Sequence, residues 1–408
     1  MKKTVKLLSA TVLAGLLLFN TNAEASAQSF KDVATNHWAY STIEQVANRG
    51  YIAGYPNGTF APSNEVTRAE FAAFLSRIIP GESTKQHTFS DVPSNHWSTH
   101  AINKGLALGF INPNDFNNGR FEPNRTLTRA EMAKWMANGL AQIDEDYGQA
   151  LKDTKDTLVP IPEYYGGQLK KPDVPYVAVS LGTGLLNGYQ DDTFRPQGKT
   201  TRAEVAALLV RYLNVMQADA ESFQGLEELR AVGTTGTNVE VTTNYEITEP
   251  FSNIRNKEIP HLRGIGSASV NRLIFLDGVG QKHNSIYSKM FVGERGAGSD
   301  QHIPVFVEKS FKASNSPNYN AYYNDYIQGL IYGSRLDVKN LNRFNLPGFD
   351  GYNFSNYMNS IAGTGKTYWE MTTVNRAPLG DSTFHHRSIF LNPNATVNGE
   401  RFTITVRK

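Results

Sequence analysis

Apolar residues change their period partway along this chain. In the first half they recur three and four apart, at Ile43, Val46 and Ala47, then at Phe71, Phe74, Leu75 and Ile78. That spacing gathers apolar side chains on one helical face, so two helices are predicted, the first ending at Gly50 and the second before Pro80. Glycine is favoured just past a helix end, and proline cannot continue a helix. Between them Pro56-Asn57-Gly58 is turn chemistry. In the second half Val239, Val241, Thr243, Tyr245 and Ile247 alternate, as do Phe402, Ile404 and Val406. This is the period of a half-buried strand. Residues 273–276, 305–307, 367–374 and 388–391 are further strand candidates, and 319–331 is a helix candidate. Asn398-Gly399 is a hairpin signal before the last strand.

The helical half repeats itself. The tetrapeptide Thr-Arg-Ala-Glu opens an apolar-periodic segment at residues 67–70, 128–131 and 201–204, at intervals of 61 and 73 residues. An internal repeat of this kind decides a fold before local detail does. Thr67 with Glu70, Thr128 with Glu131 and Thr201 with Glu204 each read as a capping box, in which the two side chains satisfy one another's backbone donors. Arg68, Arg129 and Arg202 then stand at the first helical position, beside unpaired N–H groups and the positive end of the helix dipole. Such an arrangement suits an anion. Three copies predict a multivalent binder of something acidic.

Each copy is a helix–turn–helix module that buries little apolar surface alone, so the three are expected to pack together. The first carries Phe30-Lys31-Asp32-Val33, His37-Trp38, and Gly54-Tyr55-Pro56-Asn57-Gly58-Thr59-Phe60 ahead of its tetrapeptide. The second carries Phe89-Ser90-Asp91-Val92, His96-Trp97 and Gly119-Arg120-Phe121. The third carries Gly188-Tyr189-Gln190-Asp191-Asp192-Thr193-Phe194 but lacks His-Trp, with Pro172-Asp173-Val174-Pro175-Tyr176 in that region. In combination these motifs resemble the S-layer homology module, which typically occurs in threes. The resemblance covers residues 30–215 and implies a three-pronged, mostly helical assembly. It also implies binding to a secondary cell-wall polysaccharide linked to peptidoglycan, often through a pyruvyl ketal whose carboxylate is the anion expected at the arginines. Other S-layer proteins are further candidate partners.

Composition narrows the class. A basic start, an apolar run over residues 7–19 and Ala25-Ser26-Ala27 predict a secretory signal over residues 1–27. There is no cysteine, so disulfides, a thiol nucleophile and thiolate metal sites are unavailable. A net charge of +2 over 408 residues lacks the basic footprint of a nucleic-acid binder. No cofactor and no metal are expected. After the signal, no stretch reads as a membrane span. The predicted location is the bacterial cell wall or S-layer.

The whole reads as α+β and multidomain, a helical triple repeat followed by a β-rich domain. The expected segments are a signal at 1–27, repeats at 28–80, 87–140 and 150–215, a linker at 216–237 in which residues 219–230 read as a short polar helix or as linker and 233–236 as a flexible joint, and a β-rich domain at 238–408. The candidate polysaccharide contacts are Arg68, Arg129, Arg202, Trp38, Trp97, Asp32 and Asp91. For the tryptophans, packing in the core and stacking on a sugar ring are both open. His37 and His96 read as helix caps, and the two aspartates equally as turn formers. In the second half, residues 363–367 miss the first glycine of a phosphate loop, residues 264–267 lack the order of a nucleophile elbow, and His385-His386 would point to opposite faces of a strand. A structural or interaction role is therefore expected there, with a hydrolase acting on wall material as the alternative.

Overall fold

The computed structural model describes residues 30–82, 89–260, 266–277, 285–291, 302–313, 334–335, 342–347, 365–375 and 403–406. The expected signal at 1–27, the helix candidate at 319–331, the strand candidate at 388–391, Asn398-Gly399 and His385-His386 lie outside the described residues. The fold is α+β, with helices first and an antiparallel sheet after them.

Each module contributes a pair of helices. The first helices are α1 (Tyr40–Asn48), α3 (Thr99–Ala107) and α7 (Val174–Gly182), and the second are α2 (Arg68–Ile78), α4 (Arg129–Ile143) and α8 (Arg202–Val215). The first helices end at glycines with positive φ, Gly50 at 71°, Gly109 at 75° and Gly184 at 70°. The second helices all begin with a complete capping box. Their apolar faces share one core, with Phe71, Trp135, Leu209 and Tyr212 buried among the three modules. Gly139 on α4 permits a close approach, since a Cβ there would lie 2.3 Å from the Tyr212 hydroxyl.

Between the second and third modules run α5 (Glu145–Asp153) and the short α6 (Pro162–Tyr165). After the third module, where a short polar helix or a linker is expected, comes α9 (Gln224–Thr235). Leu226, Leu229 and Val232 are fully buried in the module core. Gly233 passes so close to helix α5 that a Cβ would meet the Asp153 carbonyl at 2.0 Å, and Gly236 closes α9 in the left-handed conformation. Close packing therefore excludes the joint expected at 233–236.

The strand expected from Val239 begins later in the chain. Val239 and Val241 lie in a helical turn, α10 (Val239–Thr242), and the strand β1 starts only at Tyr245–Glu249. Asn238 explains the difference, because its side chain both donates to the Phe275 carbonyl (3.1 Å) and accepts the Phe275 N–H (2.8 Å). Thr242 and Thr243 hydroxyls then donate back to the Asn238 and Val239 carbonyls, a local pattern that holds a turn against the strand.

β1 pairs with β7 (Thr403–Val406). The other strands are β2 (Ile259–Pro260), β3 (Gly266–Phe275), β4 (His302–Ala313), β5 (Ser334–Arg335) and β6 (Gly365–Asn375). They form an antiparallel sheet in the order β2-β3-β4-β6-β5. Residues 273–275, 305–307 and 367–374 are thus strand, as their composition predicts. Ile274, Phe306, Trp369 and Met371 from this sheet join the same apolar cluster as the modules.

Candidate functional site

The three tetrapeptide arginines are the most buried cations of the modules, with relative exposures of 5%, 6% and 2% for Arg68, Arg129 and Arg202. Each reaches into the next module. Arg68 donates to the Phe121 carbonyl (2.8 Å) and pairs with Glu122 (3.0 Å) and with Glu131. Arg129 donates to the Phe194 carbonyl (2.9 Å) and the Asn187 carbonyl (3.0 Å). Arg202 returns to the first module, donating to Phe60 (2.8 Å) and Ala53 (2.9 Å) carbonyls and pairing with Glu70 (3.2 Å). Among the described residues, only Arg129 of the three has no carboxylate within ion-pair distance, and burial lowers its pKa from the ordinary value.

The helix starts are closed in the same cyclic order. The N–H groups of Arg68, Arg129 and Arg202 donate to the carbonyls of Arg125, Gly198 and Asn64, and the following alanine N–H groups to those of Pro123, Pro196 and Pro62. The expectation of unpaired donors waiting for an anion is therefore corrected: a loop of the neighbouring module fills each helix start. The arginines clamp module to module.

Those loops are strained and held by an acid. Ala61, Glu122 and Arg195, each followed by proline, take φ of 55°, 55° and 54°. A non-glycine residue is uncommon there and persists where surrounding bonds over-determine it. Asp32 accepts the N–H groups of Phe60 and Ala61, both at 2.7 Å. Asp91 accepts those of Phe121 and Glu122, both at 2.8 Å. Both acids thus spend an oxygen on each of two backbone donors and form the turn. In the third module the same role falls to Glu163, which accepts from Phe194 (2.9 Å) and Arg195 (2.6 Å). Sequence reasoning missed Glu163, yet spacing could have found it: the acid precedes its phenylalanine by 28, 30 and 31 residues in the three modules.

Between the second and third modules lies a cavity of about 240 Å³. Arg68, Arg125, Lys134 and Lys170 line it with Asp115, Glu131 and Asp173, and Phe116 and Trp135 supply aromatic wall. Lys134 pairs with Asp115 and lies 5.3 Å from the Tyr176 ring centroid. Hydrogen bonds from Arg68 and Thr128 outweigh burial and hold the Glu131 carboxyl below its usual range, whereas burial pushes Asp173 up. The lining thus carries four cations and three carboxylates, and Glu122 beside it pairs with both Arg68 (3.0 Å) and Arg125 (3.2 Å).

Trp38 and Trp97 are 65% and 61% exposed, so neither is a core anchor. His37 and His96 fix them from behind. His37 Nδ1 accepts the Ala39 N–H at 3.1 Å, and His96 Nδ1 lies 2.8 Å from the Ser98 hydroxyl. Each imidazole also lies against its tryptophan, with ring centroids 5.7 Å apart. In the third module Lys171-Pro172 stands the same distance before the helix-ending glycine, so that module presents no such indole. In the second half, Gly365-Lys366-Thr367 opens strand β6 and Ser267 lies within β3, neither in a loop suited to phosphate or to nucleophilic attack. Among the described residues no group of three or more His, Asp or Glu is placed to hold a metal, and no helix is long and apolar enough to cross a membrane.

The S-layer homology domain profile matches residues 29–72, 88–133 and 170–206. The chain therefore carries three S-layer homology modules in tandem, and they place it at a cell wall or S-layer surface. It is similar to the cellulosome-anchoring protein of Acetivibrio thermocellus, 29% identical over 168 residues, covering 40% of this chain and 35% of that protein. It is also similar to S-layer protein EA1 of Bacillus anthracis, 26% identical over 204 residues, covering 50% of this chain and 22% of that protein. An S-layer protein of Bacillus licheniformis is 26% identical over 220 residues, covering 52% of this chain and 23% of that protein. The chain thus matches only about a third or less of the length of these relatives.

Proposed function

We propose that this chain is a non-covalent anchor. Its modules, at residues 28–80, 87–140 and 150–215, form a three-pronged ring that holds a pyruvylated secondary cell-wall polysaccharide attached to peptidoglycan. The β-rich part is displayed from that ring as a structural or interaction element, with other S-layer proteins as candidate neighbours. The observation that carries this reading is the cavity between the second and third modules, lined by four cations and two aromatic rings. Arg125, Lys134 and Lys170 offer charge to a sugar carboxylate there, with Arg68 behind them, while Phe116 and Trp135 offer apolar wall. Arg129, without a carboxylate partner, is a second candidate contact for an anion. Trp38 and Trp97 are placed to stack on pyranose faces.

A charge-assisted hydrogen bond contributes about 1.5–3 kcal/mol, so one cavity binds weakly. Engagement of one polymer at several modules raises avidity by roughly 10²–10⁴ through effective concentration. Retention then needs no covalent link. The test is retention of the full chain on purified walls, on walls stripped of the polysaccharide, and on walls with pyruvyl groups removed. Retention on intact walls alone is expected, and equal retention on stripped walls defeats the reading.

A further inference from the structure

The turn preceding each strained loop has the same build in the first and third modules. Tyr55 N–H donates to the Thr59 carbonyl and Gly58 N–H to the Tyr55 carbonyl; Tyr189 and Asp192 repeat both bonds with Thr193 and Tyr189. Asn57 and Asp191 each accept from the backbone and hydroxyl of the threonine that follows. Gly58, with φ of 79°, therefore has Asp192 as its counterpart, with φ of 64°, and Gly119 of the second module takes 63°. Glycine meets this conformation without cost, whereas aspartate keeps it only against some strain. The third module has exchanged an unstrained turn for a carboxylate.

That carboxylate is occupied. Asp192 is 5% exposed and pairs with Lys289 at 3.1 Å and with Arg343. Both cations come from the second half of the chain. Around them, Tyr287, Met290, Phe344 and Leu346 are buried in the cluster shared with the modules. Asn345 donates to the Pro162 carbonyl at 3.1 Å, one residue from the acid that shapes the neighbouring loop.

We propose that the turn of the third module is a latch for the chain's own second half, with Asp192 as the catch and Lys289 and Arg343 as the two bolts. The first two modules keep glycine and an exposed indole. The third gives up both and fastens residues 285–291 and 342–347 to the ring. The displayed part is thus held rigidly on the anchor.

Hydrogen exchange of the full chain tests this. Asp192→Asn keeps a residue tolerant of left-handed backbone but removes the charge, and Asp192→Gly restores the residue of the other two modules. Both are expected to speed exchange across residues 285–291 and 342–347 by roughly ten- to a hundred-fold, the size of one lost charge-assisted bond. Exchange in α2 and α4 should stay as it was. Arg343→Gln should act in the same direction, and its effect should be smaller in the Asp192→Asn background than alone. Unchanged exchange in both Asp192 variants, or full additivity with Arg343→Gln, overturns the latch. Wall retention should be unaffected. Its loss in Asp192→Asn with unaltered exchange would place Asp192 on the glycan instead.

Discussion

Glu163 and Arg195 stand in a carboxylate-to-backbone contact of 2.6 Å, and the same carboxylate oxygen accepts the Phe194 N–H at 2.9 Å. Arg195 has φ of 54° and precedes a proline, so the acid holds a conformation the chain would otherwise leave. Glu163→Gln is expected to cost about 1–3 kcal/mol of stability, the weight of bonds to a charged group. Replacing Arg195 with glycine removes the strain, so the Gln substitution should cost less in that background. A double-mutant cycle by urea unfolding measures the coupling.

Arg202 links the third module to the first, with its partner at Ala53 separated by 149 residues in sequence. Arg202→Ala would leave the Glu70 carboxylate, 18% exposed, without this partner. Removing one member of a buried pair costs roughly 3–5 kcal/mol. Arg202→Lys should recover only part of this, because one ammonium cannot reach Phe60, Ala53 and Glu70 with the same fork. Thermal unfolding followed by circular dichroism is the measurement. A variant that melts at the parent temperature but leaves the wall would instead make Arg202 a ligand contact.

Legibility in the sequence followed range. The capping boxes lie within four residues, so residue types and spacing sufficed to read them. Helical periodicity in 71–78 and alternation in 367–374 were equally local. The arginine partners were hidden, since Arg68 meets Phe121 across 53 residues and Arg129 meets Phe194 across 65. Reading those arginines at open helix starts failed because the donors beside them are claimed by another module's loop. Val239 and Val241 alternate like a strand, but the tie from Asn238 to Phe275 overrides that pattern. Glu163 escaped notice because the third module replaces aspartate with glutamate inside an insertion.

Glu228 on α9 links stability to pH. It is fully buried and accepts from the Ser285 hydroxyl (2.5 Å) and the Asn238 amide (3.2 Å) on one oxygen, while its other oxygen has no partner. Burial raises its pKa from 4.5 to about 7. The folded protein therefore keeps a proton that the unfolded chain releases above about 4.5. This contribution is complete below the unfolded value, falls as pH rises towards 7, and is lost above it. The total is about 3 kcal/mol at 1.36 kcal/mol per unit. Glu228→Gln should flatten the stability profile between pH 4.5 and 7, as read by urea midpoints across that range. A profile as steep as the parent's would assign the dependence to other groups.

Substituting Trp38 and Trp97 tests the proposed glycan contact apart from folding more cleanly than substituting any arginine. Both indoles are more than half exposed, so their removal opens no cavity in the core, and melting temperatures should move by only about one or two degrees. Each is backed by a histidine that also bonds the start of the following helix, which fixes the indole before a ligand arrives. Trp38→Ala or Trp97→Ala is expected to weaken binding to purified wall polysaccharide about ten-fold, equivalent to 1.4 kcal/mol. The double variant should lose more than either alone, because two contacts on one polymer reinforce each other through effective concentration. Calorimetric titration of the full chain reads the affinities. Parent-like affinity in the double variant would remove the indoles from the site and leave the cation-lined cavity to carry the glycan alone.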